Sequence, residues 1–392
     1  MEATKEDQDS TLLDPKFAPV LLFVDGNLHD IDDEDSIEND EDDSIDDEDN
    51  SEGEELDLED ENSNNDDDEL GEANTYFERN DDGCHEDGGD DDDDLEVDDT
   101  VFFYSIAKRL LMSKTVEEFS THFYWTTPQG WLLMVHPKSN ETFLWSSFTE
   151  QRINLPFAED DFLTNNMVRC LLSHKPTDSD CVVLVVNHKN TVFWYCRPKG
   201  HTWFKHEYQS SMISTNESFI NVITWMSNIT AIKGKFYTYL PNDEAIVTLE
   251  FMPEPTFTTT PVNNAPNSSC FYQTSINCFL ESCGELFRLS FKHPVVYSRN
   301  VVHIEVHKLD LSRRIWVKVN TIDNKAFLVD SLGFGASLNA EDVGLKRNCI
   351  YFVRNKDKGL YIYNMEQGTT SIHNPGADLP DNVAPVIVMP TS

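Results

Sequence analysis

After residue 100 the chain repeats one pattern: a short run of β-branched and aromatic residues, a cluster of Gly, Pro, Asn or Asp, and then another such run. Gly130 to His136 is followed by Pro137-Lys-Ser-Asn140 and then by Glu141 to Trp145. Cys181 to Asn187 turns at His188-Lys-Asn190 into Thr191 to Cys196, and Arg197 to His201 turns again into Thr202 to Lys205. Ala231 to Tyr239 reads as one strand, which turns at Pro241-Asn-Asp243 into Ala245 to Leu249. His307 to Leu311 and Ile315 to Val319 form a pair, as do Asn348 to Val353 and Leu360 to Asn364. Runs of this length with these boundaries predict an all-β sandwich, barrel or propeller with little room for helices.

Two further runs, Pro19 to Val24 and Thr100 to Ile106, flank a tract of different composition. Residues 1–100 hold 45 acids and 3 bases of a chain whose net charge is −43, so the remainder is nearly neutral. Only Phe17, Phe23, Tyr76 and Phe77 of the aromatic residues lie in that first hundred. From 27 to 99 the charge density is too high and the apolar surface too small for a packed core, which predicts a disordered insert. If the flanking runs pair, the tract is a long loop in one sheet, since closure cost grows only logarithmically with length. The expected organisation is a short disordered N-terminus at 1–18, a first strand at 19–26, the insert at 27–99 and the folded domain at 100–392.

Without the insert roughly 320 residues remain, and at about 40–50 residues per four-stranded blade that predicts a propeller of six or seven small antiparallel blades. Trp145, Trp203 and Trp316 hold similar positions relative to turns and are expected to pack blade against blade.

The start of the chain is polar and acidic, unlike a secretory signal, and runs such as Cys181 to Val186 are about a third of a bilayer span. These features predict an intracellular protein of cytoplasm or nucleus with no membrane partner. Eight scattered cysteines fit buried thiols better than a disulfide scaffold. The Asn-x-Ser/Thr matches at Asn140, Asn216, Asn228 and Asn267 are then expected to stay unglycosylated.

Candidate chemistry is sparse. His303, Glu305 and His307 share one face of a strand, but the two imidazoles stand about 13 Å apart, too far for one small ion. The alternative is a polar face with Ile304 and Val306 turned inward. Cys270, Cys278 and Cys283, with His293 beyond, lack the paired spacing of zinc knuckles. Gly333-Phe-Gly335 reads as a turn, because the third glycine and following helix of a phosphate loop are missing. No catalytic, cofactor or metal residue is assigned, and no enzymatic activity is expected. Arg197, Lys199, His201, Lys205 and His206 surround one turn, and Arg313-Arg314 mark another. They are either solvated turns or a dock for the acidic tract. Ser44 and Ser51 each precede an acid by three residues, a context suited to acidophilic kinases.

Several stretches together resemble a plant family of F-box-associated proteins carrying the KIB-type β-propeller. They are Pro19 to Phe23; Thr127 to Met134 with Thr142 to Thr149 and Ile153 to Pro156; Leu172 to Cys181; and Cys196-Arg-Pro198 with Trp203. The later pieces are Ile232 to Tyr237, Lys308-Leu-Asp310 with Trp316, and Asn348 to Phe352 with Tyr363-Asn364. The resemblance implies a non-catalytic interaction domain, which in members with an F-box is a substrate receptor of a Cullin-based ubiquitin ligase. About eighteen polar residues precede the first strand, too few for three F-box helices, so an F-box is not expected here.

The expected function is recognition of a protein partner through loops on one propeller face, modulated by the acidic loop. Two alternatives stand beside it: a ligase substrate receptor without its own F-box, and an acidic factor that binds histones or other basic proteins. Nucleic acid is excluded as a direct partner by the absence of a basic stripe.

Overall fold

The structure, a computed structural model, describes residues 13–24, 100–158, 168–187, 191–208, 225–240, 244–264, 274–293, 303–330, 335–354, 357–377, 379 and 385–391. Among these residues six sheets form a six-bladed all-β propeller. Blade one contains β1 (Val20–Val24), β2 (Thr100–Ser105) and β3 (Leu110–Thr115); a short helix, α1 (Glu117–Thr121), leads to blade two. Blade two is β4 (Phe123–Thr126), β5 (Leu132–Val135), β6 (Thr142–Trp145) and β7 (Arg152–Asn154). Blade three is β8 (Val168–Leu172), β9 (Val183–Asn187), β10 (Val192–Cys196) and β11 (Phe204–Glu207). Blade four is β12 (Thr230–Ile232), β13 (Lys235–Leu240), β14 (Ala245–Phe251) and β15 (Pro255–Pro261). Blade five is β16 (Thr274–Ser282), β17 (Glu285–His293), β18 (His303–Asp310) and β19 (Ile315–Val319).

The sixth blade departs from the pattern. It holds β20 (Lys325–Val329), β21 (Gly335–Asn339), β22 (Cys349–Arg354), β23 (Asp357–Asn364) and β24 (Thr369–His373), in the order β21-β20-β22-β23-β24. β20 is wedged between the innermost strand and β22, to which it runs parallel. The last strand, β25 (Val386–Val388), returns to blade one and pairs with β1 as its innermost strand, Leu21 opposite Ile387.

The middle strands read as continuous apolar runs because each face of a blade is covered by a different neighbour. In β9, Val183 and Val185 pack into the seam with blade two, while Leu184 and Val186 pack into the seam with blade four. All five of its residues are buried. Burial on both faces removes the alternation that marks a half-solvated strand. Outer strands such as β15 and β24 are mostly exposed and polar.

β1 and β2 are paired from Val20 opposite Ser105 to Val24 opposite Val101. The acidic tract therefore connects two hydrogen-bonded neighbours; its own conformation lies outside the described residues. Two expectations need correction. Residues 13–18 do not belong to a disordered terminus: Asp14 caps a 3-10 turn at Pro15–Phe17, and Leu13 and Ala18 are buried against blades one and two. Ala231 to Tyr239 is not one strand but the hairpin β12–β13. Lys233 at φ 48° and Gly234 at φ 84° make the two left-handed positions of a tight hairpin turn there.

Candidate protein-interaction surface

Alternating strand direction sorts the connections by end. In a four-stranded blade, the turns from first to second and from third to fourth strand leave one end. The connection from second to third strand, and the crossing to the next blade, leave the other. We call these the turn end and the crossover end. At the turn end successive inner hairpins touch: His174 reaches over Gly234, and Lys233 over Gly284. Gly130 meets the backbone of Met389 and Pro390. The acidic tract leaves from Val24 and re-enters at Thr100, a second-to-third connection, so both of its roots stand at the crossover end. There the folded strands present ends from every blade to one surface.

The basic residues singled out in the sequence lie at the opposite end. Arg197, Lys199 and His201 occupy the turn between β10 and β11, and Arg313-Arg314 the turn between β18 and β19, two blades away. They do not converge. Arg197 Nη2 donates to the Phe251 carbonyl oxygen at 3.5 Å, and Lys205 Nζ stands 5.9 Å from the Trp194 ring. His206 packs beside Phe193 with ring centroids 4.9 Å apart. The sequence reading missed the exposed apolar residues of this end: Met252 is 80% and Phe204 54% exposed, and Leu311 and Leu110 sit at other turns. Isolated apolar residues in turns carry no periodic signal.

His303, Glu305 and His307 do share one face of β18, with Ile304 and Val306 buried on the other. They are not gathered as a ligand set. His303 Nδ1 is 2.8 Å from the Tyr363 hydroxyl, and Glu305 pairs with Lys318 at 2.9 Å and Lys292 at 3.5 Å. His307 is buried next to Arg288, and burial with the nearby Arg288, Lys318 and Lys292 cations holds its pKa down at about 4, against the opposing pull of Glu305. Arg288, the cross-strand partner of His307, stands 5.2 Å over the Tyr239 ring of blade four, while His303 reaches Tyr363 of blade six; Ile232, Tyr239, Phe279, Leu286 and Trp316 form the apolar part of the seam between blades four and five.

Cys278 is buried and its thiol is pushed up to about 12 by burial, whereas Cys283 is exposed. Cys270 and the His293 side chain lie outside the described residues. Gly335 opens β21, and residues 331–334 lie outside them too. Among the described residues no group of three or more His, Cys, Asp or Glu side chains could hold a metal ion. Nor is any described helix long and apolar enough to cross a membrane.

Two buried residues of opposite charge influence one another. Arg169 on β8 is buried, which lowers its pKa, while the carboxylate of buried Asp330, just beyond β20, favours its charged form. Arg169 belongs to the inner strand of blade three, and Asp330 follows the second strand of blade six.

The three tryptophans all serve as blade-to-blade packing. Trp145 meets Phe119 at 5.6 Å in the first seam, and Trp316 meets Tyr239 at 6.1 Å in the fourth. Trp203 of blade three donates its indole N–H to the Pro156 carbonyl of blade two at 2.8 Å.

Comparison with known proteins agrees with this architecture. The family model described as the KIB1-4 beta-propeller matches residues 103–368. An F-box/kelch-repeat protein of Arabidopsis thaliana is 25% identical over 247 residues, 61% of this chain and 63% of that protein. A second F-box protein of the same plant is 26% identical over 115 residues, 28% of this chain and 26% of its own length. The chain thus spans less than two thirds of either relative. Among solved structures, an inactive virginiamycin B lyase from Staphylococcus aureus, with quinupristin, covers 74% of both chains at 6% identity and a TM-score of 0.31. YCF48 bound to D1 peptide matches 71% of this chain and 76% of its own at 11% identity and a TM-score of 0.31. Likeness of that order has no bearing on function.

Proposed function

Since the chain belongs to the KIB1-4 beta-propeller family, whose domain is of a protein-interaction type, we propose that it recognises a protein partner at the crossover end of the propeller. The observation that supports this is where the acidic tract is rooted. Its two anchor strands are adjacent and paired along the whole of β1, so the ladder is intact where the tract leaves and returns. A tract of this charge on the same chain raises the encounter rate with basic partners and disfavours acidic ones. The propeller supplies contact specificity; the tract modulates it. No step of this function requires catalysis.

A second reading is favoured by the names of the two relatives, both F-box proteins: a substrate receptor of a ubiquitin ligase. The full chain and a chain lacking residues 27–99 would both be used for affinity capture, each blotted for the Skp-type ligase adaptor. Partial retention of the partner by the shortened chain is the expected result. Complete loss on deletion would favour an acidic factor for basic proteins instead. Robust co-purification of the adaptor would establish the ligase reading. The double variant Phe204→Asp/Met252→Asp alters the turn end only and is expected to leave capture unchanged.

A further inference from the structure

Where blade six meets blade one, the turn end is indented by a pocket of about 100 Å³. Its walls come from the β2–β3 turn, the connection from β21 to β22, and β22 to β24. Apolar Ile106 and Leu360 contribute to the lining, and Tyr104, Arg109, Lys346, Tyr351 and His373 bring polar groups to it. The space is far below the several hundred Å³ of a drug-sized ligand site, so it suits one compact group.

The polar lining consists of donors. Arg109 and Lys346 are exposed, and neither meets a carboxylate among the described residues. The Tyr104 residue is 4% exposed, and its hydroxyl has no protein partner among them. The Tyr351 hydroxyl accepts from the Lys346 backbone N–H at 2.9 Å, which leaves its own proton to donate. His373 has its pKa lowered by burial and by the Arg109 and Lys346 charges, with no acid acting in the other direction. Two unpaired cations, two phenols and an imidazole around a small space, in a chain of net charge −43, fit no ordinary surface balance. Charge-assisted bonds to an oxyanion would satisfy all of them. Gly344, at φ 69°, gives the connection its sharp bend here, with the Ala107 Cβ 3.7 Å from where a side chain would start.

We propose that this pocket binds a phosphoryl group, whose two negative charges match Arg109 and Lys346, with the Tyr104 and Tyr351 hydroxyls donating to its oxygens. The group is either inorganic phosphate or a phosphomonoester carried on a peptide. Because the pocket is built from the first and the last blade, its occupation would tie the two together. The proposal is independent of what docks at the crossover end.

The test is calorimetric titration of the full chain with inorganic phosphate at low ionic strength, followed by a phosphoserine peptide and its unphosphorylated counterpart. Saturable phosphate binding is expected, weakened at least tenfold by Arg109→Gln/Lys346→Gln and about threefold by Tyr104→Phe, without a change in unfolding midpoint. Arg313→Gln/Arg314→Gln, exposed cations of another turn, should leave it intact. Tighter binding of the phosphopeptide than of free phosphate would assign the group to a protein ligand; the reverse would assign it to free phosphate. No saturable binding, equal binding by the pocket double variant, or equal affinity for acetate would overturn the proposal.

Discussion

The backbone of Met389 lies directly against Gly130: a Cβ on that glycine would stand 2.5 Å from the Met389 carbonyl oxygen and 2.6 Å from that of Pro390. Gly130 also holds φ 82°, a conformation that disfavours L side chains. The segment following the last strand thereby passes over the first hairpin of blade two. Gly130→Ala should destabilise the protein by about 3 kcal/mol, combining backbone strain with displacement of that segment. Gly284→Ala is the control. Its φ is 79°, but its close neighbours are the Lys233 Cε and Nζ, the movable end of a side chain, so about 1 kcal/mol is expected. Urea denaturation of both variants checks the order; equal losses would refute the claimed backbone contact.

Arg169 and Asp330 form a charge pair inside the ring. Asp330→Asn removes the countercharge from a buried guanidinium and should cost about 3–5 kcal/mol. Arg169→Met combined with Asp330→Leu should recover much of that loss, because the desolvation penalty goes with the charges. A double-mutant cycle measures the coupling.

His307 predicts a pH dependence. Its folded pKa is held near 4 by burial and the nearby Arg288, Lys318 and Lys292, against an ordinary value of 6.5. The unfolded chain therefore binds the proton first. Stability contributed by neutral His307 is fully present above 6.5 and is lost as pH falls toward 4. His307→Gln should flatten the pH profile of the unfolding midpoint across that window relative to wild type. Identical slopes would show that the imidazole is not buried as described.

Thiol reactivity should follow position. Burial pushes Cys181 up to about 11 and Cys278 up to about 12, and also raises Cys170 and Cys196. Cys283 is exposed in a hairpin turn. Under native conditions iodoacetamide should modify the peptide containing Cys283 and spare those four until denaturant is added. Peptide mass spectrometry reads the pattern.

The fold was legible where strands are buried on both faces. Cys181 to Asn187 is such a run; Ile315 to Val319, an outer strand with only Trp316 buried, was read from its β-branched and aromatic content, and the strand pairing across the acidic tract followed from Pro19 to Val24 and Thr100 to Ile106. The family resemblance read from such stretches agrees with the matched model. Two outer strands were missed: Pro255–Pro261 is threonine-rich and mostly exposed, and Arg152–Asn154 is only three residues. The inserted β20 could not be foreseen, because its neighbours are fixed by pairing and not by local propensity. The phosphate pocket left no trace in the sequence, since Arg109, Lys346 and His373 belong to separate turns and strands and each alone looks like ordinary surface.

The return of Val386–Val388 to the edge of Val20–Val24 sets an order of events during synthesis. Val20–Val24 is translated with one flank unpaired, and Val386–Val388, its partner on that flank, emerges from the ribosome only after blades two to six have been made. Until then the unsealed edge of blade one is a natural target for chaperones, and a ribosome stalled short of residue 386 would release a product with that edge open to aggregation.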